Sequence, residues 1–235
     1  MKNNSENKTL LFVNLDKFKI VVLDELDEVI FKRELLLKAS SEKFSFELFE
    51  EFINQNIFKI EKELNEFVKT IILIIDHYDI FSVNLSIKNK MNDVLLNTNL
   101  INNLLIEAKS CCKETLEKME VMHMKIDQFY IDNNVYEILP DKVRFKNLSV
   151  DLSFICIPNN FLQNLEKVLK KYQISLSQIV SADYIQTFLD PNDNEKEIFF
   201  MANKIMDGLN PNEVKLTFES KKKQGFFEKF FNFFS

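Results

Sequence analysis

The scarcity of glycine is the feature that most constrains this chain, because only Gly208 and Gly225 occur among its 235 residues. Loops that cradle nucleotide phosphates need glycine for backbone conformations with positive φ and for close approach to the anion. Both glycines lie near the C-terminal end of the sequence. An AT-rich coding sequence would explain the scarcity equally well, but in either case the sequence disfavours a nucleotide-dependent enzyme.

Composition and charge indicate a folded protein rather than a nucleic-acid binder. The chain is 46% hydrophobic and 28% charged, with a formal net charge of −6, whereas a general nucleic-acid binder carries a basic surface. Its longest apolar runs have five residues, as at 71–75, and so are far below the roughly 20 residues that span a bilayer. Residues 1–8 are polar and unlike a secretory signal. We therefore expect a cytoplasmic protein.

The cysteines and histidines do not match a catalytic or metal-binding pattern. Three cysteines, Cys111, Cys112 and Cys156, suit a reducing compartment, and the adjacent pair cannot both point at one metal from a helix. We expect them to be core or helix-face residues. His77 and His123 lack an acidic or cysteine partner at ligand spacing, so neither is predicted to be catalytic. An enzyme with Cys111 or Cys156 as nucleophile is kept only as an alternative.

The order of apolar patterns predicts an α/β fold. Apolar residues recur at every third or fourth position over residues 45–67, which indicates an amphipathic helix. A β-branched run at 69–76 follows directly and indicates a strand buried on both faces of a sheet. The remaining patterns predict strands at 10–16, 18–24, 28–37, 80–96 (as one or two strands), 121–131 and 150–156, helices from Thr98 or Asn99 to about 112, from 158, and over 195–207 with Gly208 after its end, and a second α/β stretch over 179–189.

The last eleven residues, 225–235, carry the most informative motif. Wound as a helix, they place six phenylalanines within an arc of roughly 160° and the polar residues on the opposite side. Such a helix is roughly 15 Å long, so it can lie in a membrane interface but cannot cross the bilayer. The residues predicted to bind lipid are Lys221, Lys222, Lys223, Phe226, Phe227, Lys229, Phe230, Phe231, Phe233 and Phe234.

Simple energetics favour a reversible anchor. Burying one phenylalanine contributes about 1.5–3 kcal/mol, and each lysine near an anionic leaflet adds about 1 kcal/mol. Folding a short helix that is marginal in water opposes these contributions. The alternative is that the phenylalanine face docks on the protein's own core or in a groove of a partner.

The order of elements, together with the C-terminal motif, resembles FtsA, the actin-like bacterial division protein that anchors the division ring to the inner membrane. The N-terminal strands, the 45–67 helix and the 71–75 strand look like its actin-type (ribonuclease H-like) subdomain 1A. The segment Gln128-Phe129-Tyr130-Ile131-Asp132 lies where the inserted subdomain 1C has a glutamine-tyrosine strand. Residues 201–208 and the Lys- and Phe-rich end are similar to the family's C-terminus.

The resemblance implies a division of the chain into six segments. They are 1–83, the first part of subdomain 1A; 84–157, a 1C-like insertion; 158–190, the return to 1A; 191–209, a C-terminal helix; 210–224, a tether; and 225–235, the amphipathic membrane-targeting helix. The expected fold class is thus α/β (α+β), a partial actin-like subdomain with an insertion and a C-terminal amphipathic helix.

Two departures from the family concern the nucleotide site. FtsA has an Asp-(Ile/Leu)-Gly-(Thr/Ser) phosphate turn between its first two strands, whereas this chain has Asn14-Leu15-Asp16-Lys17. After Leu189 the family continues into a second actin-type lobe, which here is replaced by a few loop residues. We therefore predict that ATP binding is lost and that the protein has no cofactor. The missing lobe also carries the family's FtsZ-binding surface, so direct binding of FtsZ is left open.

The resemblance then implies a non-enzymatic division protein, a peripheral anchor and scaffold on the cytoplasmic face of the inner membrane at midcell. Its partners would be lipid, through 225–235, and division proteins, through the 1C-like region; self-association is left open, and no nucleic acid is expected. The alternative is an adaptor of a pilus or secretion platform that binds a partner's cytoplasmic peptide.

Overall fold

The computed structural model describes residues 7–37, 43–190 and 195–214. Within these ranges the chain forms two sheets and five helices. In chain order the elements are β1 (Lys8–Val13), β2 (Lys17–Leu23), β3 (Val29–Leu36), α1 (Phe46–Leu64), β4 (Thr70–Ile75), β5 (Phe81–Leu95), α2 (Thr98–Thr115), β6 (Met119–Ile131), β7 (Asn134–Tyr136), β8 (Arg144–Pro158), α3 (Asn159–Lys170), β9 (Ser175–Ser181), α4 (Ala182–Gln186) and α5 (Glu195–Met206).

The first sheet has five strands in the order β3-β2-β1-β4-β9. Strands β1, β2 and β3 form an antiparallel meander, while β4 pairs in parallel with β1 and with β9. The central strands are almost continuously buried, as the apolar run of β4 predicts. The carboxyl ends of β1, β4 and β9 therefore meet at one edge of this sheet.

Helices cover both faces of the five-stranded sheet. Helices α1 and α3 pack on one face, where Phe49, Ile53 and Leu165 are fully buried. Helices α4 and α5 cover the other face, with Ile185 and Ala202 in contact with the sheet core. Helical layers on both faces are the usual way to bury a sheet whose central strands are apolar on both sides.

The second sheet lies, in chain order, between β4 and β9 of the first. It is antiparallel, with the order β5-β8-β6-β7, and α2 buries Leu104, Leu105 and Ala108 in the same core cluster as the sheet residues Val150 and Phe154. The predicted α/β class is confirmed, and its second sheet is an insertion into the first.

Helix ends follow local sequence signals. The Ser45 side chain accepts a hydrogen bond from the Leu48 amide, and Asn65 ends α1 in the left-handed conformation with φ of 53°. Gly208, with φ of 95°, follows α5, and the Leu209 amide donates to the Lys204 carbonyl oxygen, which closes a Schellman turn. The Gly208 prediction is confirmed.

Several boundaries differ from the sequence prediction. Helix α1 ends at Leu64 rather than at 67, because Asn65 turns the chain, and Phe67 is 77% exposed. The N-cap of α2 is Asn97, whose side chain accepts from the Leu100 amide at 2.9 Å, and not Thr98 or Asn99. The predicted 80–96 stretch forms a single strand, Phe81–Leu95, with an irregularity between Lys90 and Val94.

Candidate functional site

The predicted lipid-binding residues lie outside the described residues, as does the 225–235 segment that contains most of them. The structure does describe residues 210–214, which precede that segment. The candidate site is the place where these residues contact the rest of the protein. The residues outside are Lys221, Lys222, Lys223, Phe226, Phe227, Lys229, Phe230, Phe231, Phe233 and Phe234.

Glu213 is held at the junction of the two sheets by a buried histidine. The Nδ1 atom of His123, on β6, lies 2.7 Å from Glu213 Oε1, and their side chains are only 3% and 8% exposed. The Nε2 atom of His123 accepts a hydrogen bond from the Ser181 amide at the end of β9, at 3.0 Å. Because an amide can only donate, Nε2 carries no proton, so Nδ1 carries the proton and donates to Glu213.

The second carboxylate oxygen of Glu213 is also bonded. The Tyr184 hydroxyl, from α4, donates to Glu213 Oε2 at 3.3 Å and accepts from Asn210 Nδ2 at 2.8 Å. Burial is the main reason that the pKa of Tyr184 is raised to about 12. Glu213 therefore links β6 and α4 through two hydrogen bonds, and Asn210 adds a third contact from the same segment.

Backbone hydrogen bonds extend this attachment along β6. The Ile126 amide donates to the Asn212 carbonyl oxygen and the Val214 amide donates to the Met124 carbonyl oxygen, both at 2.8 Å. Lys125 and Glu213 form an antiparallel bridge between these bonds. Residues 210–214, at the start of the predicted 210–224 tether, are thus attached to the body through contacts that are distant in sequence.

The Ser181, His123 and Glu213 set has the residue types of a catalytic triad but not the geometry. His123 Nε2 is occupied by the Ser181 backbone amide rather than by its hydroxyl. The Ser181 hydroxyl oxygen instead accepts from the Tyr184 amide as the N-cap of α4. Ser181 is 1% exposed, so its hydroxyl does not face solvent as that of a nucleophile must, and the arrangement serves to join elements.

The β1–β2 turn lies at the sheet edge where the resemblance would place a phosphate. The Asn14 side-chain oxygen accepts from the amides of Asp16 and Lys17, at 3.0 and 2.8 Å. Backbone amides in such a turn can bind phosphate, but here the Asp16 and Lys17 amides already donate to a side chain of the same turn. Asn14 also donates to Asp76 at 3.4 Å, which places a carboxylate beside this turn.

His77 is buried at the same edge of the sheet and is partnered by a nearby acid. Its ring packs on Phe161 and Tyr78, with centroid distances of 4.2 and 4.4 Å. Its Nδ1 accepts from the Asp79 amide at 3.2 Å and lies 3.8 Å from the Asp79 carboxylate. Burial lowers the pKa of His77, although Asp79 and Asp76 oppose the shift.

The thiols are placed as predicted, with two in the core and one on a helix surface. Cys112 and Cys156 are buried and Cys111 is exposed. Burial raises the pKa of Cys156 to about 12 and also raises the pKa of Cys112, with which it shares a hydrogen bond. Both buried thiols therefore stay protonated and poorly nucleophilic.

The acidic partner of His123 is not evident from the sequence. Glu213 lies 90 positions away, so no local spacing could reveal it. In the described part of the chain, no group of three or more metal-ligating residues comes together. No helix there is both long and apolar enough to cross a membrane.

Comparisons with known proteins give likenesses of structure alone. No protein-family model matches the chain, and no curated protein matches it. The cytoplasmic domain of EpsL, an inner-membrane component of the type II secretion system of Vibrio cholerae, is similar over 80% of this chain and 59% of that one, with 12% identity and a TM-score of 0.36.

Two further solved structures are similar at comparable levels. The PilM-PilN type IV pilus biogenesis complex matches over 78% of this chain and 50% of that one, with 8% identity and a TM-score of 0.45. A Bacteroides thetaiotaomicron protein with an actin-like ATPase fold matches over 78% and 56%, with 12% identity and a TM-score of 0.33. The chain spans between half and three fifths of the length of these three structures, and the likenesses carry no argument about function.

Proposed function

We propose that this protein is a non-enzymatic scaffold on the cytoplasmic face of a bacterial inner membrane, with a partial actin-like body held to lipid by residues 225–235. One feature of the sequence carries the proposal: if that segment is wound as a helix, its six phenylalanines share one side, with one lysine on the polar side and three more just before the segment. An aromatic face bordered by cations is suited to the boundary between head groups and acyl chains of an anionic leaflet.

The junction at Glu213 supports a mechanical role for this segment. Residues 210–214 are bonded to β6 and α4, so a pull on the C-terminal segment reaches both sheets through buried hydrogen bonds. Only residues 215–224 separate Val214 from the amphipathic segment. A scaffold needs this kind of connection, because the segment that binds the membrane must stay attached to the folded body under load.

The polar groups of the body support the absence of enzymatic activity. The amides of the β1–β2 turn are bonded to Asn14, and His123 has both ring nitrogens engaged by protein groups. The buried thiols have raised pKa values. The amides and the histidine nitrogens already have hydrogen-bond partners within the protein, and the buried thiols are protonated. These groups are therefore not available to bind phosphate or to attack a substrate.

The finer proposal is an FtsA-like role in cell division, with protein partners bound by the 1C-like region. Four large apolar side chains of that region are exposed: Leu95 at 47%, Ile106 at 46%, Val135 at 55% and Ile138 at 78%. Side chains of this type are suited to a protein contact. The cost of leaving them in water would be recovered when a partner covers them.

An adaptor role in a pilus or secretion platform is the second candidate. The EpsL and PilM-PilN structures belong to such platforms by name, but the measured similarity is too low to decide between the two roles. The presence of its own lipid-binding segment favours the division role, because an adaptor that holds a membrane partner's peptide has less need of one.

Fluorescence imaging in the native cell tests the proposal. We expect a tagged full-length chain at the membrane and concentrated at midcell, and a version without residues 224–235 spread through the cytoplasm. Polar foci of the full-length chain would instead identify the adaptor role. Unchanged membrane localisation after truncation would contradict the anchor.

A further inference from the structure

Among the described residues, the outer edge of β6 is paired over only part of its length. On its other side β6 pairs with β8 from Met119 to Ile131. On the outer side, among the described residues, β7 covers only Phe129–Ile131. Unpaired backbone groups along a strand edge are a template for another extended segment.

This chain already begins to fill that edge. The hydrogen bonds at Asn212 and Val214 and the Lys125–Glu213 bridge form the first rungs of an antiparallel ladder. Each residue added to the ladder moves one position back along β6. Residue 215 would therefore face His123 and residue 216 would face Met122.

The sequence that follows has the pattern of a half-buried strand. Apolar Val214, Leu216 and Phe218 alternate with polar Lys215, Thr217 and Glu219. Val214 packs against the core of the four-stranded sheet. An extended chain keeps residues with the same parity on the same face, so Leu216 and Phe218 would continue the apolar side.

A cavity lies directly ahead of Val214. It has a volume of about 330 Å³ and is lined by residues of β6, β9 and the end of α5, as well as by Glu213 and Val214 themselves. Its apolar lining includes Met122, Ile179, Val180, Ile205 and Met206. Strand β9 is an edge strand of the described five-stranded sheet, so the cavity separates two strand edges.

From these four observations we infer that residues 215–219 bind this cavity as an additional strand, antiparallel to β6, with Leu216 and Phe218 against its apolar lining. The occupant is the chain's own segment because it is joined covalently to the last paired residue. That connection gives it a high effective concentration over any external peptide. The inference concerns the body alone and does not depend on lipid binding.

The docked strand would set the position of the predicted anchor. Residues 220–224 would remain as the only linker to the amphipathic segment, and five residues extend to at most about 18 Å. The phenylalanine face would then be confined near the junction of the two sheets, rather than moving freely at the end of a longer tether.

Hydrogen exchange measured by mass spectrometry tests the inference on the full-length chain without lipid. We expect the amides of 215–219 to exchange at least tenfold more slowly than those of a synthetic peptide covering 210–224. Leu216→Asp should abolish this protection, while the matched Thr217→Asp, on the polar side, should keep it.

Four outcomes would overturn the inference. The first is that the amides of 215–219 exchange as fast as those of the peptide, and the second is that they are protected only when anionic vesicles are added. The third is that protection depends on protein concentration, which would indicate binding by a second copy. The fourth is that both variants lose protection equally. Circular dichroism of both variants would verify that the body stays folded.

Discussion

The Nδ1 atom of His123 lies 2.7 Å from Oε1 of Glu213, and this contact joins positions 90 residues apart. His123 belongs to β6 in the four-stranded sheet, and its other ring nitrogen accepts from Ser181 in the five-stranded sheet. Glu213 also accepts from Tyr184. One carboxylate therefore fastens the C-terminal segment to both halves of the body.

Removing this carboxylate should destabilise the protein. Glu213→Ala leaves the His123 N–H and the Tyr184 hydroxyl without their buried partner, and we expect the free energy of unfolding to fall by about 2–3 kcal/mol. Urea denaturation measures the change. The matched control is Glu107→Ala on the exposed face of α2, for which we expect a change within about 0.5 kcal/mol. Equal effects of the two substitutions would contradict the structural role of Glu213.

The thiols should react very unequally. Only Cys111 is exposed, and burial holds the pKa of Cys156 at about 12 and raises that of Cys112. At pH 8 we expect a disulfide reagent to modify one thiol per native chain rapidly, and all three after unfolding. Cys111→Ser should remove the rapid phase. Rapid modification of two or more thiols in the native protein would show that the Cys112–Cys156 contact is open.

His77 should make stability dependent on pH below neutrality. Its folded-state pKa is lowered from 6.5, mainly by burial, so folding favours the neutral ring. The unfolded chain binds the proton more readily, and the contribution of His77 is complete above about pH 6.5 and is lost as the pH falls through the folded-state value. Relative to His77→Asn, the wild-type protein should lose stability between pH 7 and pH 5.

Nuclear magnetic resonance offers a direct measurement of the same group. The chain has two histidines. The ring signal that disappears in the His77→Asn variant therefore belongs to His77, and the signal that remains belongs to His123. We expect the His77 signal to titrate below pH 6.5. Titration at or above that value would mean that the packing against Phe161 does not exclude water from the ring.

The protein should not bind ATP. The amides of Asp16 and Lys17 are bonded to Asn14, so a phosphate would have to displace that side chain. A ligand at one hundred times its Kd stabilises a fold by about 2.7 kcal/mol, which raises the melting temperature measurably. We therefore expect 1 mM ATP with magnesium to leave the melting temperature unchanged. A saturable increase would show that the turn still accepts phosphate.

Local patterns in the sequence predict most of the elements because each element carries its own signal. The period of α1, the β-branched run of β4 and the glycine after α5 are all local, and all three appear in the structure. Strand β7 has no such signal, because its three residues, Asn134–Tyr136, are too few to establish an alternating pattern.

The site was harder to predict than the fold because its contacts are distant in sequence. Nothing near His123 indicates Glu213, and nothing near Asn212 indicates Ile126. These bonds join residues that only the tertiary structure brings together. The polar composition of 210–214 favours a tether, and the pairing with β6 overrides that preference. The lipid-binding prediction concerns residues outside the described ranges and stays a prediction.

Co-sedimentation with anionic liposomes tests most directly whether residues 225–235 anchor the protein. Phe230→Glu plus Phe231→Glu removes two rings from the phenylalanine face, and a matched control, Phe58→Glu plus Phe67→Glu, changes two phenylalanines of the body that are 72% and 77% exposed. We predict that the wild-type and control proteins sediment with the liposomes and that the first variant stays in the supernatant. Sedimentation of the first variant to the same extent as the wild-type protein would contradict the anchor, and with it the proposed membrane scaffold.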